Sequence, residues 1–309
     1  MVIRFKPVFS HTIWGGDKLR TEWGYDEKGD DIGECWTIAA HPHGDVTVDG
    51  GEFDGMHLSE LWNEKRKLFG NAEGDRFPLL IKIITASDDL SIQVHPDDEY
   101  AGKYENGSLG KTESWYIIDC EKDSKLVVGH NAKTKEELCR MIDEGRWSEF
   151  IREIPIKKGD IINIVPGTVH AIKGGITLLE SQQNSDITYR VYDYDRKKDG
   201  KLRELHIEKS KDVITVPALD VKDSIIEDDE KETVKKVISC KYFDVFRIIV
   251  DGKADFSEKR PFLLFTVIEG EGEVEGEKIK KGDAFMISAG YEKVDFSGKM
   301  KLIVSSLPD

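Results

Sequence analysis

The chain is predicted to fold as a mainly β protein, built as two related β-barrels or sandwiches with a few helices. Three observations carry this prediction. Short β-branched and aromatic runs dominate, mostly bounded by Gly, Asp or Pro: VTVDG, PLLIKIIT, SIQV, SWYIID, KLVVG, DIINIV, ITLLES, ITYRVYDYD, DVFRIIV, FLLFTVIEG and KLIVSS. Helical periodicity is sparse. One segment recurs: IKKGDIINIVPGTVHAI (156–172) aligns without a gap on IKKGDAFMISAGYEKVD (279–295).

Taken in order, the first helix pattern is LSELWNEKRKLFG, with a serine start at Ser59 and a glycine stop at Gly70. The second, TKEELCRMIDEG, opens on the capping box Thr134-x-x-Glu137 and stops at Gly145. So few helices among so many short strands argue against a parallel βαβ fold. The acidic stretch DVKDSIIEDDEKETVKK (220–236) reads as a polar connector between an amino-terminal part, 1–219, and a carboxy-terminal part, 237–309. Within the repeat Gly159 matches Gly282, Asp160 matches Asp283 and Gly167 matches Gly290, while His170 falls on Lys293. Only the first unit keeps the histidine, and the second is expected to bind no metal.

Composition narrows the function. The 309 residues allow a large core, and the net charge of −15 comes with no basic run. That argues against nucleic acid or an anionic membrane as partner. The four cysteines are scattered with no CxxC, so neither a disulfide framework nor a cysteine zinc site is indicated. The start, MVIRFKPVFS, lacks the apolar core of a leader, and no apolar run approaches ~18 residues. A soluble, cytoplasmic protein is expected.

The chemistry concentrates in a few places. In SIQVHPDDEYA, Gln93 and His95 are two apart and project from one face of a strand. The pattern G-x5-V-P-G-x-x-H, from Gly159 to His170, resembles the second cupin motif, with Val165 where proline is usual. In cupins the earlier ligands lie on a preceding strand pair as His-x-His followed by a glutamate. Here Gln93-Val-His95 stands in that place and Glu113, in GKTESWYII, is the carboxylate. Imidazole and carboxylate suit zinc or another first-row divalent ion, and three strong ligands with an open position form the catalytic pattern. The pair His41-Pro-His43 competes for that role, but its proline and Gly44 read as a loop leaving a strand.

LSIQVHPDDEYA, GKTESWYII, VPGTVHAI and LLESQQNSDITYRVYDYDR closely resemble the type I mannose-6-phosphate isomerase family in its short bacterial form, as do IWGGDKL and IGECWTIAAHPHG. The resemblance runs from about residue 10 to 210, and the remainder is similar to that family's carboxy-terminal barrel only loosely. It implies two cupin-like jelly-roll barrels, one zinc per chain, and interconversion of mannose 6-phosphate and fructose 6-phosphate. It also implies Gln93, His95, Glu113 and His170 as the metal shell and Arg190 as the active-site arginine. Glu180 and Lys111 are the neighbouring polar groups, and Ser91 and Lys82 match positions near the phosphate. ECWTIAAH departs from the family's usual form after the tryptophan, so Glu34 takes no role from it.

The implied reaction makes chemical sense of this set. Moving a proton between C2 and C1 through an enediolate places charge on a carbonyl oxygen, which a Lewis acid can hold. Lys111, Glu180, a metal-bound water or another group is left as the proton carrier. Arg190 offers a planar, permanent charge for the enediolate or the phosphate. Because screening acts over ~8 Å, Lys82, Lys111, Arg190 and Arg196 around one cavity would reverse the overall negative field. Arg196, in DRKKDG, reads equally as a loop charge, and Lys82 alternatively as a snorkelling surface lysine. Two other readings stand beside this one: a metal-dependent cupin oxygenase, and a non-catalytic sugar-binding cupin. The second is favoured if Arg190 and Lys111 point away from the metal. Oligomeric state is left open.

Overall fold

The computed structural model describes residues 1–198 and 200–308. The architecture is mainly β, and each run named above contains a strand. A seven-stranded sheet lies in the middle, in the order Ile225–Ile226, Ile161–Ile164, Glu113–Asp119, Thr177–Gln183, Leu79–Thr85, Ile32–Ile38 and Val8–Gly16. A five-stranded sheet orders Ile151–Pro155, Lys125–His130, His170–Ala171, Ile92–Val94 and Tyr189–Tyr192. An eight-stranded sheet gathers the carboxy-terminal strands from Val234–Ser239 to Val294–Ser306, together with Val2–Lys6 and Thr47–Val48. Each sheet is an open path of strands.

Alternation along the strands explains the stacking. The outward side chains of the middle sheet, Leu79, Ile81, Ile83, Tyr116, Ile118 and Leu179, pack on Val245, Leu264, Ile268, Met286 and Ile303 of the eight-stranded sheet. Their neighbours Ile84, Trp115, Ile117 and Leu178 face the other way and pack on Leu126, Val128, Ile154 and Ile172 of the five-stranded sheet. The far side of that sheet, including Ile92 and Val94, is covered by the helices Lys135–Asp143 and Trp147–Phe150 through Leu138, Met141, Ile142 and Phe150. Ser91, Gln93 and His95 are thereby turned inward, between two sheets.

The helix expectations hold in part. Thr134 accepts from the Glu137 N–H at 3.2 Å and the helix gives way at Gly145, with φ +64°, as expected. The other pattern starts earlier than Ser59: its helix is Leu58–Glu64, and Glu60 accepts from the His57 N–H at 3.0 Å. It then breaks at Lys65 into a 3-10 turn, Arg66–Phe69, before the expected stop at Gly70. The acidic residues after Pro96 form a helix that the strand pattern concealed, Asp98–Tyr104, capped by the Asp97 carboxylate on the Tyr100 N–H at 2.8 Å.

The internal repeat recurs in three dimensions. Gly159 N–H donates to Ile117 and Gly282 N–H to Val267, both at 2.9 Å. Asp160 and Asp283 accept from the Lys157 and Lys280 amides, again both at 2.9 Å. Both glycines need positive φ, +89° and +94°, which a side chain would strain. At the register of His170, Lys293 pairs with Asp295 at 2.7 Å on the surface.

The stretch 220–236 is largely exposed, yet it is tied to the sheets at several points. Ile225 and Ile226 pair with Ile162 and Ile161 of the middle sheet. The Asp228 side chain is buried and accepts two hydrogen bonds from Arg247, at 2.6 and 3.1 Å, while Glu230 accepts from the Tyr116 hydroxyl at 3.1 Å. The partners lie far along the chain, so local composition concealed them. The strand Val2–Lys6 likewise pairs with Ala284–Ile287, tying the first residues to the carboxy-terminal sheet.

The Asp228–Arg247 clamp generates a prediction. Burial opposes the Asp228 charge, but Arg247 and Lys235 outweigh it and hold its carboxyl down at about 2. A depressed carboxyl contributes stability that is complete above its unfolded value, ~3.9, and is lost as pH falls through the folded one. Asp228→Asn is expected to lower stability by about 3 kcal/mol at pH 7. In urea unfolding from pH 5 to 2, the gap between wild type and variant should narrow; a constant gap would contradict the assignment.

Candidate active site

The site is built where apolar inner faces give way to charge. Trp36, Lys82, Glu180 and Trp115 stand directly opposite one another across four strands of the middle sheet. Glu113, two residues before Trp115, points to the same side. From the five-stranded sheet, the register row His170–Gln93–Arg190 faces them. His95 follows on the Gln93 face, and Lys111 is held just before its strand by its amide on the Pro96 carbonyl at 3.0 Å.

The side chains of His95, Glu113 and His170 converge, all buried, with one donor atom from each within 4.8 Å of the others. Glu113 Oε1 lies 3.1 Å from His95 Nε2, and Oε2 lies 3.7 Å from His170 Nε2. Each imidazole has its other nitrogen on a backbone carbonyl: His95 Nδ1 donates to Ile187 at 2.8 Å and His170 Nδ1 to Thr168 at 2.9 Å. That places the protons on Nδ1 and leaves both Nε2 lone pairs directed at Glu113. Gln93's amide lies 3.2 Å from His170 Nε2, and a half-turn would present its oxygen instead.

Around this trio lies a buried charge network. Lys111 Nζ is 2.6 Å from Glu113 Oε1 and 3.7 Å from Glu180 Oε1. Lys82 Nζ is 3.4 Å from Glu180 Oε1 and 3.1 Å from Glu34 Oε1. Each tryptophan donates to a carboxylate: Trp36 Nε1 to Glu34 at 2.7 Å and Trp115 Nε1 to Glu180 at 3.0 Å. Lys82 is therefore no surface lysine, and Glu34, which the sequence left without a role, is its counter-ion. Ser91 is buried, 3.5 Å from the Gln93 oxygen.

Proton affinities follow from these contacts. Burial, reinforced by Lys111, pushes His95 down to about 3, and burial lowers His170 as well, so both are neutral at pH 7. Burial works against the Glu113 charge, yet the Lys111 ammonium outweighs it and holds the carboxyl well below its usual range. Glu180 goes the other way: burial, then the Glu113 charge, raise it to about 7 against Lys82 and Lys111. For Lys82, burial is overcome by Glu180 and Glu34, which raise it.

Two sequence-predicted cations lie off this cluster. Arg190 shares the Gln93 face by register but donates through Nη1 to the Glu204 carbonyl at 2.7 Å, leaving its buried Nε without an acceptor. Arg196 is bound to Asp193 and to the Asp89 carbonyl, which makes it a loop anchor. His41 and His43 close on Asp186, 3.5 and 2.5 Å from its oxygens. This carboxylate was invisible in the sequence because it comes from 143 residues downstream of His43.

Neutral imidazoles and a buried carboxylate on facing antiparallel sheets define a candidate metal centre. The comparisons agree. "Phosphomannose isomerase type I, catalytic domain" matches residues 2–133 and "Mannose-6-phosphate isomerase, cupin domain" matches 233–307. The chain is 50% identical to mannose-6-phosphate isomerase ManA of Bacillus subtilis, over 98% of each protein. It is 43% identical to mannose-6-phosphate isomerase of Streptococcus mutans, over 95% of this chain and 94% of that one. The crystal structure of mannose 6-phosphate isomerase from Bacillus subtilis superposes with a TM-score of 0.94 at 44% identity, covering 99% of each chain. The chain belongs to the type I phosphomannose isomerase family.

The network makes Lys82 a test of the site's electrostatics. Lys82→Met leaves the Glu34 and Glu180 carboxylates buried without their common cation and is expected to cost about 3–5 kcal/mol in urea unfolding. A change within ~0.5 kcal/mol, as for a surface lysine, would show that the carboxylates relax without it.

Proposed function

We propose that this chain interconverts mannose 6-phosphate and fructose 6-phosphate, using one zinc ion held by His95, Glu113 and His170 with Gln93 beside them. The observation that carries the reading is the Glu113 carboxylate, buried among two neutral imidazoles with neither oxygen in a directed hydrogen bond. A buried anion left so is costly unless a cation completes it. Lys111 supplies part of that charge, while the two Nε2 lone pairs meet only the Lys111 Nζ at 3.5 Å and the Gln93 amide at 3.2 Å. The donor set therefore fits a divalent ion such as zinc.

When bound, such an ion supplies Lewis acidity toward a carbonyl oxygen. The protein's own groups do the rest. Lys111 and Glu180, whose Nζ and Oε1 are 3.7 Å apart, are the pair we assign to moving the proton between C1 and C2. Trp115 fixes one Glu180 oxygen and leaves Oε1 without a hydrogen bond, facing the two lysines. Lys82 and Ser91 border the sugar phosphate, Lys82 while tied to Glu34 and Glu180. Arg190 steadies the negative charge of enediolate or phosphate through its unsatisfied Nε. Lys111's place in the cluster favours an isomerase over a non-catalytic sugar-binding cupin.

The two-part division at 220–236 enters this reading as two cupin-type barrels, the first catalytic and the second supporting it through the outer face of the middle sheet. We place the enzyme in the cytoplasm as an expectation for a sugar-phosphate isomerase; among the described residues no helix is long and apolar enough to cross a membrane.

A coupled assay for mannose 6-phosphate conversion tests the proposal. Chelation should abolish activity and zinc restore it, and full activity in metal-free protein would contradict it. Elemental analysis should find one zinc per chain; a second that survives His170→Ala would contradict the supporting role of the second barrel. Arg190→Ala should lower turnover by ~10²–10³-fold, with little recovery in Arg190→Lys. Near-normal turnover would make Arg190 peripheral.

A further inference from the structure

His95 and His170 fix their tautomers by different means. His170 uses the carbonyl of Thr168, two residues away in its own chain segment. His95 uses the carbonyl of Ile187, 92 residues away in a stretch with neither helix nor strand. An irregular segment holds a carbonyl in place only if something else holds the segment.

We infer that 184–188 is a collar that positions the Ile187 carbonyl and through it His95, with Asn184, Ser185 and Asp186 as positioning residues for the centre. The inference rests on the metal reading above. Asn184 is buried and donates both amide hydrogens to backbone carbonyls, Ala40 at 2.9 Å and Phe77 at 2.8 Å. The Ser185 hydroxyl donates to the Leu109 carbonyl at 2.9 Å and accepts from the Ile187 amide at 3.4 Å. The peptide next to the critical carbonyl is thus itself pinned. Gln182 Nε2 adds a bond to the Ser185 carbonyl at 2.6 Å.

Asp186 is clamped from outside by His41 and His43. That trio has the composition of a metal site, but its tautomers point elsewhere. His41 Nδ1 accepts the His43 amide at 3.2 Å, so the neutral ring carries its proton on Nε2, the atom facing Asp186. With no lone pair on that nitrogen, His41 acts as a donor. The HPH turn holds Asp186 and so anchors the collar where it meets solvent.

The test uses the full-length protein with Ser185→Ala and with Asp186→Ala, the latter at a more exposed position. Zinc affinity is read by competition with a chromophoric chelator, and the Nδ1–H signals of His95 and His170 by ¹⁵N NMR in zinc-free and zinc-loaded samples. Loss of a group that orients a metal-bound imidazole typically weakens the metal ~10–100-fold. Both variants should show such a loss, with the His95 Nδ1–H signal diminished and that of His170 intact. Wild-type zinc affinity with an unchanged His95 signal would overturn the inference. So would joint loss of both histidine signals, because the segment would then support the fold and not His95. If wild type itself binds no zinc, the metal reading fails, while the NMR comparison still decides the collar.

Discussion

The buried charge of Glu113 is the constraint around which the rest of the site is arranged. A carboxylate with 1% side-chain exposure needs compensation, and everything nearby supplies or adjusts it. Lys111 and two neutral imidazoles approach it directly. Lys82 stands between Glu34 and the neighbouring Glu180, and the two tryptophans fix those carboxylates without adding charge. Because the charges share partners in a low-dielectric interior, removing one member shifts the balance of the others.

That constraint explains why the fold needs a third layer. The middle sheet carries ionised groups on one face, and a sheet so loaded has less apolar area on that face for packing. Its opposite face makes up the difference, with Leu79, Ile81, Ile83 and Leu179 against the eight-stranded sheet. At the register of His170 the second repeat carries a surface lysine, and its sheet supplies a covering face for the middle sheet. The Asp228–Arg247 pair ties the 220–236 stretch to the carboxy-terminal sheet, and the strand Val2–Lys6 ties the first residues to the same sheet.

Much of the site was legible because its signals are local. Period-two alternation put Gln93 and His95 on one face, while Glu113 came from the cupin pattern and Lys82 and Glu180 from the family resemblance. His170 was marked by the glycine turn before it, which the structure repeats at Gly282. What stayed hidden depends on contacts between distant segments. Glu34 has its meaning only beside Lys82, Asp186 only beside the HPH turn, and Asp228 only beside Arg247. The helix after Pro96 was hidden differently: its acidic residues resemble a loop until Asp97 is recognised as a cap. Within 220–236, composition could not show which charge is buried, since burial of a charge is a property of its partner.

The central claim is that His95, Glu113 and His170 together hold the metal. X-ray absorption at the zinc edge of the loaded protein tests it most directly. The account predicts a shell of nitrogen and oxygen at about 2.0–2.1 Å, with outer scattering from two imidazoles and no sulfur. In His95→Ala one imidazole contribution should vanish. Sulfur in the shell, or an unchanged two-imidazole spectrum in that variant, would contradict the account.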